Sequence, residues 1–346
     1  MNGGCIVDIE VLVTLVLGVA FAFSIGSGDE TMATTIGSGA MRLKYAVILA
    51  GILAAIGAFF LSSGVAHSIG VNLLNLPPAS TSRYQGWIMV SILASVSTWM
   101  IVASKTGLPV SVTYCIIGGF LGVALCGPLL GTDFASAIHW DELGTIVIGW
   151  IASPLLGLGC ATGITFVMKR FIRRRIRGFD DMEKMGRAFM ILLIFIACFN
   201  QLNREGNDAA KALSIFHGLE FGGQIDATTF SIMLVIGSIA IGLGLFVVGR
   251  NLLRNVGKNI IEIRPSDAIC IETSMSIVLL LANILSLPIS GGQVLIFAIV
   301  GLSLVNHVPV NKRTLKRIVY SWIVTLPLAM LASAGVLALL LTTLKP

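Results

Sequence analysis

Residues 203–211 read Asn203-Arg204-Glu205-Gly206-Asn207-Asp208-Ala209-Ala210-Lys211, four charged side chains and two amides in an apolar part of the chain. Ile25-Gly26-Ser27-Gly28-Asp29-Glu30-Thr31 interrupts the first apolar run in the same way. Asp29 and Asp208 are 179 residues apart. Gly107-Leu108-Pro109-Val110-Ser111 and Ser286-Leu287-Pro288-Ile289-Ser290 stand at the same offset, so each Asp precedes its Pro by 80 residues. Trp150-Ile151-Ala152-Ser153-Pro154 is echoed by Trp322-Ile323-Val324-Thr325-Leu326-Pro327. Three landmarks recurring in one order point to an internal repeat.

The composition says where such a repeat lives. Of 346 residues, 56% are hydrophobic and 12% charged, with 38 Gly, and the mean hydropathy is +0.94. Soluble domains carry about 25% charge. These values exclude a disordered chain, a secreted disulfide scaffold and almost any soluble enzyme. The six cysteines form no Cys-x-x-Cys pair and read as small hydrophobes. The four histidines are scattered, so no zinc site is expected. The opening MNGGCIVDIE has no Lys or Arg and is not read as a secretory signal peptide.

A membrane-spanning helix needs about 20 apolar residues. Runs near 6–24, 45–65, 86–104, 108–130, 143–168, 186–202, 228–248, 267–286, 288–306 and 317–342 meet that need, about ten crossings by length. Segments near 31–41 and 209–219 follow the polar breaks and read as half-helices or re-entrant pieces. Most of the 23 Lys and Arg fall in alternate loops, densest over Lys169–Arg187. The positive-inside rule then places both termini outside and the central basic loop in the cytoplasm of a multi-pass cell-membrane protein. The net charge of +6 is therefore loop bias rather than a nucleic-acid surface.

The expected fold is an all-α polytopic membrane protein of about 10–12 membrane segments, with two inverted-topology repeats and broken helices or re-entrant hairpins. An odd number of crossings per half forces the halves to run in opposite directions. Residues 1–168 form the first repeat, 169–185 a basic cytoplasmic linker and 186–346 the second. Inverted repeats with broken helices mark secondary transporters, whose site lies near the bilayer midplane.

Charges at that depth are the first candidates, because an ionisable group inside the membrane is expensive. Asp29 and Asp208 are read as ligands for a cation or proton. In a helix, Arg204, Asp208 and Lys211 would share one stripe, and Asn207 and Lys211 would be neighbours. For Arg204 and Glu205 two readings stay open, snorkelling at the interface or membership of the site. Glu272 is either an interfacial acid near Asp267 or a protonatable coupling residue. Pro in each Leu-Pro-x-Ser segment suits a first helical turn. Ser111, Thr113, Ser290 and Gly291 would then offer hydroxyls and bare backbone N–H groups to an anion. Plain helix capping by Ser is the alternative.

These motifs resemble the inorganic phosphate transporter (PiT) family, which carries two G-x-N-D motifs and two G-L-P-V-S-T-T-H motifs. The resemblance runs in order over nearly the whole chain and takes in Ile36-Gly37-Ser38-Gly39, Ile271-Glu272 and Val308-Pro309-Val310-Asn311. It implies an anion held by the Ser-Thr-Thr hydroxyls and backbone, with Asp and Asn oxygens placing cations. Carried over, that means substrate contacts at Ser111, Thr113, Ser290, Gly291, Asn207 and Lys211. Coupling falls to Asp29, Asp208 and Glu272, with Na⁺ at Asp29 and Asp208. The departures are Gly28 for Asn, Lys211 for a later Asn, Val112 for Thr, Tyr114 for His, and Gly291-Gly292-Gln293 for T-T-H. Lys211 suggests an alternative to sodium, an ammonium that balances Asp208 and attracts the anion.

The expected function is a secondary-active inorganic phosphate permease working by alternating access with H⁺ or Na⁺. It would be no enzyme, would need no cofactor beyond the coupling ion, and would have the oxyanion and the lipid bilayer as partners. Homo-oligomerisation is left open. A sulfate or other oxyanion permease is the nearest alternative, and an anion channel a more distant one.

Overall fold

The structure is a computed structural model that describes residues 9–62, 85–126, 140–175, 179–221, 223–259, 263–284 and 289–344. Cys5, Asp8, His67, Arg83, Asp133, His139, Arg177, Lys345 and the Ser286-Leu287-Pro288 segment lie outside these residues.

Among the described residues the chain is helical, with no strand. In order the helices are α1 (Ile9–Ser27), α2 (Ala33–Gly37), α3 (Leu43–Leu61), α4 (Gln85–Lys105), α5 (Val112–Cys126) and α6 (Trp140–Arg175). There follow α7 (Phe179–Phe221), α8 (Ala227–Gly244), α9 (Arg250–Asn259), α10 (Pro265–Ile284), α11 (Gly291–Asn306) and α12 (Lys312–Leu344). One wide π-helical turn, Leu245–Gly249, joins α8 to α9. Seven described helical segments are long and apolar enough to cross a membrane, and α1, α5 and α11 supply shorter apolar segments. The apolar surface agrees: Ile151, Phe166, Ile191, Phe195, Ile323 and Leu331 are all more than 60% exposed. Such faces suit lipid, where backbone groups must be satisfied inside each helix.

Packing follows the small residues. Helix α1 lies against α8 and α4, and α3 against α7 and α8. A Cβ on Gly26 would come within 1.8 Å of the Ile241 carbonyl oxygen, and one on Gly244 within 1.9 Å of that of Phe23. The α1–α8 crossing therefore brings backbone to backbone, as small residues allow in membranes. In the C-terminal part of each half, α5 packs along α12 and α11 along α6. Both long partners carry an internal proline, Pro154 in α6 and Pro327 in α12.

One expectation is overturned. The stretch around 203–211 is no break, and 209–219 is no separate half-helix; both lie inside α7, an unbroken 43-residue helix. The reason is local. Arg204–Asp208 pairs at i,i+4 and Asp208–Lys211 at i,i+3, both inside the helix, and such pairs support helical structure. Gly206 does not interrupt it, because Leu61 at the end of α3 packs where a side chain would stand. The first stretch does break: α1 ends at Ser27, and the five-residue α2 follows a short turn. The basic segment is largely helical too, with α6 running to Arg175 and α7 beginning at Phe179.

Candidate functional site

The break after α1 faces the middle of α7. Every buried charged side chain among the described residues belongs to this region or to α10: Asp29, Glu30, Arg204, Glu205, Asp208, Lys211 and Glu272. Burying a charge is tolerable only with partners, and the partners are specific.

Arg204, 5% exposed, is the hub. Its Nη1 lies 3.3 Å from Asp29 Oδ1, its Nη2 2.9 Å from Glu30 Oε1 and its Nε 3.1 Å from Asp208 Oδ2. The approach to Glu30 lacks the alignment of a hydrogen bond, so that contact is chiefly electrostatic. Nη1 also donates to Thr31 Oγ1 at 3.1 Å. Asp29 Oδ1 accepts from the Thr31 backbone N–H at 2.9 Å and from the Thr31 hydroxyl at 2.6 Å. Its Oδ2 accepts from the Gln201 amide, which also reaches Glu205 Oε1 at 3.4 Å. Lys211 Nζ donates to Asp208 Oδ1 at 2.5 Å. The two aspartates of the repeated motif are thus bridged by one guanidinium.

Glu272 belongs to the same interior, not to the interface. It is fully buried in α10, with Oε1 accepting from the Thr34 hydroxyl at 2.5 Å and Oε2 from the Asn200 amide at 2.5 Å. Ser276 Oγ donates to Asn200 Oδ1 at 2.6 Å and holds that amide in place.

The first Leu-Pro-x-Ser segment leads into α5, but that helix begins at Val112, so Pro109 precedes it rather than standing in its first turn; α11 begins at Gly291, directly after Ser290. Ser111 accepts the Cys115 N–H and Ser290 the Val294 N–H through their carbonyls, at 3.2 and 3.1 Å. The Ser290 N–H donates to Ser153 Oγ at 3.2 Å. The start of α11 touches the charge hub: a Cβ on Gly291 would lie 2.9 Å from Arg204 Nε, and one on Gly292 2.5 Å from Glu30 Oε1. Glycine at both positions gives Arg204 and Glu30 their room. One residue on, the Gln293 amide donates to the Tyr114 hydroxyl at 3.0 Å, tying α11 to α5. Buried Ser111 Oγ and Thr113 Oγ1 have no hydrogen-bond partner among the described residues.

Of the expected residues, Asp29, Asp208, Lys211 and Gly291 meet around Arg204, and Glu272 joins through Thr34 and Asn200. Asn207 is buried on the same helix. Ser111 and Thr113 sit at the start of α5 and Ser290 at that of α11. Neither Glu30, Thr31, Thr34, Asn200 nor Gln201 was singled out in the sequence. Arg204 and Glu205 are buried, so the snorkelling reading does not hold for them. A signal existed for α7: Gln201, Arg204, Glu205, Asp208 and Lys211 recur at helical spacing, a polar stripe through an apolar helix.

Taken together, a bundle of helices with apolar outer faces around a buried charge network, with the start of α11 against it, is the build of a multi-pass membrane permease rather than an enzyme. The family model described as the phosphate transporter family matches residues 27–333. The chain belongs to that family. It is 26% identical to a protein of Pyrococcus horikoshii named as a candidate phosphate permease, over 93% of this chain and 96% of that one. It is also 26% identical to the chloroplastic inorganic phosphate transporter 2-1 of Arabidopsis thaliana, over 91% of this chain and 69% of that one. Its fold is similar to a solved structure titled "The sodium-dependent phosphate transporter", with a TM-score of 0.81 and 24% identity over 96% of this chain and 99% of that one.

Proposed function

We propose that this chain moves inorganic phosphate across the cell membrane by alternating access, as a secondary-active permease drawing on a gradient of H⁺ or Na⁺. The observation that carries the reading is the pair of hydroxyls without a partner among the described residues, Ser111 Oγ and Thr113 Oγ1, buried at the start of α5. Buried hydroxyls ordinarily find partners, and an oxyanion supplies them. Backbone N–H groups at helix starts add to such a cradle. Ser290 and Gly291 hold the matching place on α11, with Asn207 and Lys211 on α7 completing the substrate contacts. Asp29, Asp208 and Glu272 are the coupling residues in this reading. The family and the names of its members support phosphate as the anion.

Alternating access rests on two inverted repeats, and pairwise packing supports them. The residue offset carries α5 onto α11 and α6 onto the region of α12, and these helices pack crosswise, α5 on α12 and α11 on α6. Rocking of one half against the other would then open the site to each side in turn. Both termini lie outside and the basic segment near 169–185 inside.

Competition among anions tests the substrate. In proteoliposomes, arsenate should displace labelled phosphate and sulfate should not. Sulfate or molybdate competing as well as phosphate would instead mark a general oxyanion permease.

A further inference from the structure

We infer that Arg204 is a built-in cation that takes the place of a bound Na⁺ between Asp29 and Asp208, so that transport does not require sodium. The inference rests on the permease reading and narrows its coupling ion.

The fit of Na⁺ to the two aspartates is a question of donor chemistry. A hard cation needs oxygen lone pairs turned toward it. Around Asp29 the lone pairs already meet hydrogen-bond donors: the Thr31 N–H and hydroxyl on Oδ1, the Gln201 amide on Oδ2 and Arg204 Nη1 at 3.3 Å. Asp208 carries a cation on each oxygen, Arg204 Nε on Oδ2 and Lys211 Nζ on Oδ1. The N–H groups among these donors cannot ligate a metal, and the Thr31 hydroxyl oxygen already accepts from Arg204 Nη1 at 3.1 Å. The buried oxygens that have no partner among the described residues, Gln201 Oε1, Glu30 Oε1 and Oε2 and Glu205 Oε2, belong to side chains other than the two aspartates. A sodium ion placed between the aspartates would also have to displace the guanidinium fork that already spans them. The residues present do not fit Na⁺ at this position.

They fit a guanidinium well. Its planar fork offers several donors at fixed angles, and Arg204 uses them on Asp29, Glu30, Thr31 and Asp208 at once. Two features of this chain make the room. Glycine at 291 and 292 clears the space that Arg204 and Glu30 fill against α11, since a Cβ at either position would collide with them. The continuity of α7 then holds Arg204 one turn before Asp208. The positive charge a transported ion would bring to Asp29 and Asp208 is thus covalently part of α7 and stays through the cycle. Of the two coupling ions, the proton remains.

Two readouts test this, one of them independent of substrate. Wild-type protein in liposomes should take up labelled phosphate in choline chloride within about twofold of its rate in NaCl. Its melting temperature in detergent should be the same in both salts at equal ionic strength, because an ion that binds the folded state raises it. Arg204→Gln should become sodium-responsive, with faster uptake and a higher melting temperature in NaCl. A wild type that needs Na⁺ for uptake, or melts higher in NaCl, overturns the inference. So does a folded Arg204→Gln indifferent to Na⁺ in both measurements. Should that variant not fold, the wild-type comparison decides. Absence of phosphate uptake in either salt would count against phosphate as substrate, and the melting comparison would still settle the role of Arg204.

Discussion

Gln293 and Tyr114 stand 179 positions apart, the offset that separates Asp29 from Asp208, and they bond directly, amide to hydroxyl, at 3.0 Å. Positions matched by that sequence offset, one near the start of α5 and one near the start of α11, thus meet. The Tyr114 ring also packs on Trp150, with centroids 4.0 Å apart. Tyr114→Phe keeps that packing and removes only the bond. Interhelical bonds in membrane proteins average about 0.6 kcal/mol, so the variant should lose that much stability and no more. Combined with Gln293→Ala, it should add less than its separate cost, as thermal unfolding of the four proteins would record.

Ser111→Ala and Thr113→Val separate binding from folding. Neither hydroxyl bonds to protein among the described residues, so the melting temperature should stay within about a degree. Each lost bond to a bound anion should cost about 1 kcal/mol, raising the KM for phosphate several-fold. An unchanged KM in both variants removes α5 from the substrate site.

The central hub has a larger stake in stability. Arg204→Ala leaves Asp29, Glu30 and Asp208 short of their shared cation, a loss of about 3–5 kcal/mol for a broken buried pair. Arg204→Lys should recover little, because an ammonium cannot span three carboxylates. Chemical or thermal unfolding in detergent checks both. A melting curve equal to wild type for Arg204→Ala contradicts the network.

Glycine contacts give a graded prediction for the bundle. Gly26→Ala and Gly244→Ala each push a methyl into a carbonyl oxygen less than 2 Å away and should separate α1 from α8, with loss of monodisperse protein in size-exclusion chromatography. Gly159, with nothing within 4 Å of its would-be Cβ, should accept Ala with stability unchanged or raised by up to about 1 kcal/mol.

Orientation is open to chemical labelling. In a background without native cysteines, Gln224→Cys, in the turn between α7 and α8, should react with an impermeant maleimide in intact cells. Lys184→Cys should react only after permeabilisation. The reverse pattern inverts the topology.

Much of this could be read from the chain before folding, and the exceptions share a cause. Hydropathy placed the helices because lipid imposes a nearly binary rule on each segment. The first break was legible because Gly-Ser-Gly-Asp cannot sustain a helix there without support. The second resembled it by motif, yet stayed helical, because its charges pair along α7 and Leu61 packs on Gly206. Motif similarity does not encode such pairing. Glu30 and Thr31 were hidden for a related reason: their role depends on Arg204, which approaches from 173 residues away at Thr31. Glu272 could be placed only by knowing that α10 lies beside α7. The place of Ser111 and Thr113 at a helix start was legible because a Leu-Pro-Val-Ser stretch ahead of an apolar run carries a local signature.

The most direct test of the account is labelled phosphate uptake by the purified chain in liposomes, measured against phosphate concentration. The account predicts saturable uptake that accumulates phosphate above its external concentration when an ion gradient is imposed, and that is lost in Asp29→Asn and in Asp208→Asn. Uptake that rises linearly without saturation and never exceeds equilibrium, or that matches protein-free liposomes, would contradict it.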